Sequence, residues 1–241
     1  MVRILVLEHD PTDPAQRLGD WLAEAGAELV TCRPHVGDPV PDDGLDALVC
    51  LGGHMSAMDD EATPWLPATT RLLRRAIADG TPTLGVCLGA QLLALAGGGT
   101  VEPGADGPEI GAYLTAKRDA AADDPLFADL PMTPDVMQCH DDVVTVLPPG
   151  ATLLLSSTGY PHQAWRQGRA AWAVQFHPEA TAAVVRDWAR GHGVVDSRRL
   201  GPMLDEADAA AAQVWRDFAH RFVEVATRPP AARRTLPMVS R

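Results

Sequence analysis

Thr83-Leu84-Gly85-Val86-Cys87-Leu88-Gly89-Ala90-Gln91-Leu92-Leu93, running on to Gly97-Gly98-Gly99, is the stretch that decides the fold. Thr83–Val86 is short, apolar and β-rich, and predicts a buried strand. Residues 88–96 predict a short apolar helix closed by the three glycines. Between them stands G-x-C-x-G, the pattern of a nucleophile elbow. Glycines two before and two after Cys87 let the chain turn tightly and keep neighbours off its side chain. Cys87 then points out at the carboxyl end of a central strand, the edge where open α/β sheets place their sites. A helix start there adds positive potential, the setting in which thiols ionise readily. An inert core cysteine between two packing glycines has the same local sequence; the strand–elbow–helix context favours the nucleophile.

Outward from this point strands and helices alternate. Arg3–Leu7 reads as a buried first strand. A helical pattern covers 13–25, with Leu18, Trp21, Leu22 and Ala25 on one face, and Gly26 stops it. Residues 28–33 and 45–51 predict two further strands, the second running into Gly52-Gly53. Residues 65–78 predict a helix with Leu66, Leu72, Leu73 and Ile77 near helical spacing, ended by Gly80. This alternation implies a parallel sheet with helices on both faces. The middle of the chain differs. Residues 109–118, 136–140, 143–147, 152–156, 163–166 and 170–176 are short strand candidates split by Pro and Gly, without long helices between them. They are expected as antiparallel additions beside the parallel core. Residues 180–192 predict a helix, and 205–226 a long amphipathic one whose apolar set includes Ala211, Val214, Trp215, Phe218 and Phe222.

A thiol nucleophile needs a base, and a base works better when a third group orients it. Gln175-Phe176-His177-Pro178-Glu179 offers both at the end of an apolar strand. Pro178 stiffens the link, so His177 and Glu179 can face one region, with Glu179 holding the imidazole tautomer. Alone, His-Pro-Glu also suits a solvated strand end. A third element is Leu51-Gly52-Gly53-His54-Met55-Ser56, past the third strand. Consecutive glycines there allow backbone N–H groups to face a ligand, although a plain strand-to-loop turn reads the same. Such a group, with the N–H of Leu88, would form an oxyanion hole.

Composition removes several alternatives. Hydrophobic residues make up 46% of the 241 residues and charged ones 22%, which suits a folded domain with a sizeable core. The net charge of −12 is a poor basis for binding nucleic acid or an anionic membrane. Lys117 is the single lysine, and no glycine-rich loop precedes it, so a Walker A motif is excluded. No stretch approaches the roughly 20 apolar residues of a membrane span, and the N-terminal apolar run is too short for a signal peptide. Cys32, Cys50 and Cys139 lack the elbow setting and read as core or incidental thiols. With no C-x-x-C pair, free thiols in a reducing cytoplasm are expected.

The three motifs, in this order and at this spacing, resemble those of class I glutamine amidotransferase domains of the Cys-His-Glu triad type. The resemblance spans residues 1 to about 190. It implies a flavodoxin-like α/β fold, with Cys87 as nucleophile, His177 as acid and base, Glu179 as its orienting partner, and oxyanion N–H groups from Gly53 and Leu88. It also implies that Gly52, Gln91 and the segment His140-Asp141-Asp142 meet the substrate. Two positions depart from the family. His54 stands where Gly-Gly-Pro is usual, and reads as a surface residue at the pocket mouth. Asp141 stands where many relatives carry Gly after His, and would face a substrate amine or cap a turn. Glu109-Ile110-Gly111 resembles a segment of stand-alone members and reads as structural.

On this reading residues 1–192 form the amidotransferase domain, 193–227 a helical extension packed on it, and 228–241, with three Pro and four Arg, a flexible tail. The implied reaction is hydrolysis of the γ-carboxamide of glutamine, with no metal or organic cofactor. The residues after the match are too few for an ATP-using domain. The ammonia would therefore pass to a separate synthetase subunit, or the protein would be a stand-alone γ-glutamyl hydrolase acting on amines or peptides. A non-catalytic module of the same fold is the remaining alternative. An α/β-hydrolase is disfavoured, because there the acid precedes the histidine.

Overall fold

The computed structural model describes residues 1–42, 46–59, 61–193 and 197–228. Seventeen elements follow in chain order: β1 (Arg3–Leu7), α1 (Gln16–Glu24), β2 (Glu28–Cys32), β3 (Ala47–Cys50), α2 (Leu66–Asp79), β4 (Thr83–Val86), α3 (Leu88–Gly97), β5 (Thr100–Pro103), β6 (Glu109–Leu114), β7 (Ala116–Lys117), β8 (Asp135–His140), β9 (Asp142–Val146), β10 (Thr152–Ser156), β11 (Ala164–Gln167), β12 (Ala171–Val174), α4 (Ala182–Gly191) and α5 (Ser197–Thr227). The main sheet has eight strands in the order β2-β1-β3-β4-β12-β11-β10-β7. The first five run parallel and the last three antiparallel. Two separate antiparallel ribbons pair β5 with β9 and β6 with β8.

Strand alternation sorts side chains onto the two faces. Along β1, Ile4 and Val6 join the core under α1 and α5, with Leu18, Leu22, Trp215, Phe218 and Phe222. Leu5 and Leu7 join the opposite core under α2 and α3, with Leu66, Leu73, Leu92 and Leu93. Helix α3 carries no polar face because it is covered on all sides; eight of its residues, Gln91 among them, are buried. Gly80 ends α2 and Gly98 ends α3 in the left-handed region, which glycine enters without a Cβ penalty. Among the described residues no helix is long and apolar enough to cross a membrane.

The mostly parallel α/β sheet matches the sequence expectation, with four differences. Residues 170–176 were expected as an antiparallel addition, yet β12 pairs parallel with β4 and is the fifth core strand. A short apolar strand carries no record of its partner's direction. The stretch 109–118 divides into β6 and β7 at Thr115, whose N–H and hydroxyl both donate to the Pro134 carbonyl. Helix α5 starts at Ser197, ahead of the expected 205, and carries Pro202 near its N-terminus, where few backbone bonds are lost. It packs on α1, α4, β6 and β8. Strand β5 had no counterpart in the sequence reading. From residue 229 onward the expected tail lies outside the described residues, as do positions 194–196 of the loop before α5.

Candidate active site

Strand order reverses at β1, which sends the chain first to β2 and then to β3 on its other side. Open α/β sheets bind ligands at the carboxyl ends of strands flanking such a point. Here those ends are the loop Glu8–Asp13, the pair Gly52-Gly53, Cys87, and His177 with Glu179.

Cys87 sits at the N-cap of α3 with φ 49° and ψ −108°. A non-glycine residue at positive φ is strained, and such strain concentrates at functional sites. Its N–H donates to the Val174 carbonyl at 2.9 Å, which ties the elbow to β12. The flanking glycines are dictated by space. A Cβ on Gly89 would lie 1.9 Å from the Cys50 carbonyl oxygen, and one on Gly85 would lie 2.6 Å from the Gly89 carbonyl oxygen. Gly89→Ala is therefore expected to destabilise the fold by about 3 kcal/mol, a drop in Tm of roughly 6–12 °C for a domain this size. Thermal melts by circular dichroism check this, and a Tm matching wild type contradicts it.

His177 is buried, and its main-chain N–H donates to Met137 O at 2.8 Å. Its Nδ1 lies 2.5 Å from Glu179 Oε1, and its ring packs against Trp188 with centroids 4.6 Å apart. Nδ1–H donating to Glu179 leaves Nε2 buried and without a partner among the described residues. Burial opposes a charge on this ring, but Glu179, Cys87 and Asp13 together outweigh it and push the imidazole well above its usual range. Arg17 of α1 supports the turn by donating to the carbonyls of Pro178 and Ala180.

A cavity of about 230 Å³ opens above Cys87. Gly53, Gln91, His140, Asp141, Asp142 and His177 line it with Cys87. Leu88 is the first residue of α3, where an amide has no acceptor within the helix. Gly52 lies behind; a Cβ there would meet Asp13 Oδ2 at 2.0 Å and His177 Cε1 at 3.0 Å. Gln91 Nε2 donates to Asp142 O at 2.9 Å, and Asp142 Oδ2 accepts from Ser56 Oγ at 2.8 Å. His140 Nε2 meets Glu109 Oε2 at 3.1 Å, so buried Glu109 acts as a structural anchor. His54 is exposed at the mouth, with Nδ1 paired to Asp10. Asp141 is exposed too, 3.4 Å from His192 Nε2.

Sequence reasoning missed three groups at this site. Asp13 is buried beside the His177–Glu179 pair, 3.9 Å from His177 Nδ1. Trp188 comes from the helix after the His-Pro-Glu turn. Cys139, read as incidental, lines the cavity with its carbonyl oxygen 3.9 Å from Cys87 Sγ, and burial pushes its own thiol up to about 12. A signal for Asp13 did exist: Glu8, His9, Asp10 and Asp13 follow the first strand at the edge where sites form. Cys32 and Cys50 are core thiols, as expected. Cys50 Sγ meets His9 Nε2 at 3.3 Å, and burial lowers His9 to about 4, so the ring is neutral beneath the Gly52-Gly53 loop.

Asp13, His177 and Glu179 bring one ligand atom each within 4.8 Å of one another. Of the three, His177 Nδ1 is already engaged by Glu179 Oε1. A thiol, an imidazole with a free inner nitrogen, and an orienting carboxylate around a small cavity suit acyl transfer.

A family model described as glutamine amidotransferase class-I matches residues 21–186. A GMP synthase [glutamine-hydrolyzing] of Porphyromonas gingivalis is 32% identical over 152 residues, 61% of this chain but 28% of that protein. A glutamine amidotransferase-like protein, YfeJ, of Salmonella typhimurium is 29% identical over 189 residues, 76% of this chain and 78% of its own. The crystal structure of a glutamine amidotransferase from Thermotoga maritima superposes with a TM-score of 0.82 at 28% identity, covering 92% of this chain and 98% of the other.

Proposed function

The chain belongs to the glutamine amidotransferase class-I family, and on that premise we propose that it hydrolyses the γ-carboxamide of glutamine through a γ-glutamyl thioester on Cys87. The observation that carries this reading is the strained elbow holding Cys87 at a cavity wall shared with His177, whose far nitrogen is held by Glu179. The Cys87 thiolate attacks the γ-carbonyl carbon. Negative charge then develops on the carbonyl oxygen, facing the N–H groups of Leu88 and Gly53; each such donor is worth roughly 10²–10³ in rate. His177 Nε2 gives its proton to the departing ammonia. The thioester remains on Cys87. Water, deprotonated by His177, attacks it, glutamate leaves, and the thiol is restored.

Relatives named as glutamine-hydrolysing GMP synthases, of which this chain matches about a quarter of the length, support glutamine as substrate and a synthetase as the consumer of the ammonia. One feature favours a second reading. Asp141 and Asp142 line the cavity, and no Lys or Arg does so among the described residues. An acidic wall suits a substrate with an amine beyond the γ-carbonyl, as in a γ-glutamyl amine or peptide. Steady-state turnover of the purified protein on glutamine, set beside γ-glutamyl dipeptides, separates the two. Glutamine turnover is the expected result. Turnover confined to the dipeptides overturns it in favour of the hydrolase.

A further inference from the structure

Asp13 stands outside the three motifs, yet it closes the far side of the His177–Glu179 couple. It lies in the β1–α1 loop, 4% exposed, where its N–H donates to Asp10 O at 3.2 Å. Its Oδ2 is 3.9 Å from His177 Nδ1. Two buried oxygens here have no hydrogen-bond donor among the described residues: Asp13 Oδ1 and Glu179 Oε2. Two ionised carboxylates so close in a site shielded from water would repel each other, and each would keep an unsatisfied oxygen. One proton cures both faults. It removes one charge and supplies a donor between the two groups. Glu179 already accepts from His177 Nδ1, so the proton between the two acids falls to Asp13.

We propose that Asp13 is a positioning residue that stays protonated in the resting protein and donates to Glu179, extending the triad to Cys87–His177–Glu179–Asp13. The proposal rests on the Cys87 chemistry above and deepens it. The acid pair carries a single negative charge, enough to orient His177 and balance its cationic form. Asp13 keeps its proton through the whole cycle. Losing it would place a second negative charge beside Nδ1. His177 would then hold its own proton more tightly, donate poorly to the leaving amine, and be slow to act as base toward water.

The surrounding charges agree. Burial, helped by the like charges of Glu179 and Asp10, lifts the Asp13 carboxyl to about 8 against the pull of His177. Asp10 shares the loop and is itself engaged by Thr12 and His54. Cys139 faces Asp13 from the end of β8, its own ionisation suppressed by burial. Arg17 of α1 is turned to the Pro178 and Ala180 carbonyls and to Asp208.

The first test needs no substrate. Infrared difference spectra of the full chain across pH should show a protonated-carboxyl C=O band lost with a midpoint near 8. That band should be missing in Asp13→Asn. In Glu179→Gln its midpoint should move down, because the neighbouring charge is gone. No such band in wild type, or the same band in Asp13→Asn, overturns the proposal, and the wild-type arm stands even where a variant fails to fold. The second test is the pH profile of kcat/KM on glutamine and on γ-glutamyl dipeptides. Wild type should lose activity as pH rises through about 8. Asp13→Asn, whose carboxamide still offers Glu179 an uncharged donor but does not titrate, should lack that alkaline fall. An unchanged profile in Asp13→Asn overturns the proposal. A wild-type protein inactive on both substrates that still shows the band, and loses it in Asp13→Asn, supports the four-residue array and overturns the substrate reading instead.

Discussion

Cys87→Ala should lower kcat for glutamine by a factor on the order of 10⁶, the scale seen when the nucleophile of a concerted catalytic array is removed. The substitution takes away the one atom that can carry the acyl group. It leaves the elbow in place, because alanine meets the same strained φ of 49° and keeps the 2.9 Å bond from the residue 87 N–H to Val174 O. The loss should therefore fall on chemistry, with a circular dichroism spectrum and Tm close to wild type. Ammonia release measured at saturating glutamine checks it. A variant retaining more than about one hundredth of wild-type kcat would remove Cys87 from the mechanism.

Glu179→Gln should cost up to about 10⁴ in kcat while leaving the fold intact, the scale for loss of the orienting carboxylate in a Ser-His-Asp triad. Glu179 is fully buried and its Oε1 accepts from His177 Nδ1 at 2.5 Å. A carboxamide can turn its NH2 toward Nδ1, which puts the imidazole proton on Nε2, facing Cys87, where a base is needed. The charge that holds the imidazole above its usual range is lost as well. The effect should appear in kcat more than in KM, since Glu179 lies behind His177 and does not line the cavity. A kcat within about tenfold of wild type would show that another group orients His177.

Much of this architecture was legible in particular residues. The elbow announced itself through glycines that space alone requires, because Gly89 lies against the Cys50 carbonyl and Gly85 against Gly89. Gly80 and Gly98 end their helices where the sequence placed the stops. Strand β1 and helix α1 followed from apolar period. The direction of β12 did not, nor did the early start of α5 ahead of Pro202. Direction is set by what lies alongside, and a helix can run through a local break when its later turns are anchored, as Trp215 and Phe218 anchor α5 in the core.

At the site, local sequence determined which groups could react: a thiol on a strand-to-helix elbow, and an imidazole joined to a carboxylate by a stiff proline. These depend on neighbours within a few positions, where backbone geometry is prescribed by residue type. Tertiary structure alone decided what surrounds them. Asp13 follows β1, Trp188 lies on α4 and Cys139 lies near the end of β8, and none carries a motif that ties it to His177. The parallel sheet brings the ends of β1, β3, β4 and β12 to one edge and buries Asp13 against Glu179 there. Whether a carboxyl group in that place is ionised depends on how far water is excluded and which charges stand beside it, and both are properties of the packed molecule.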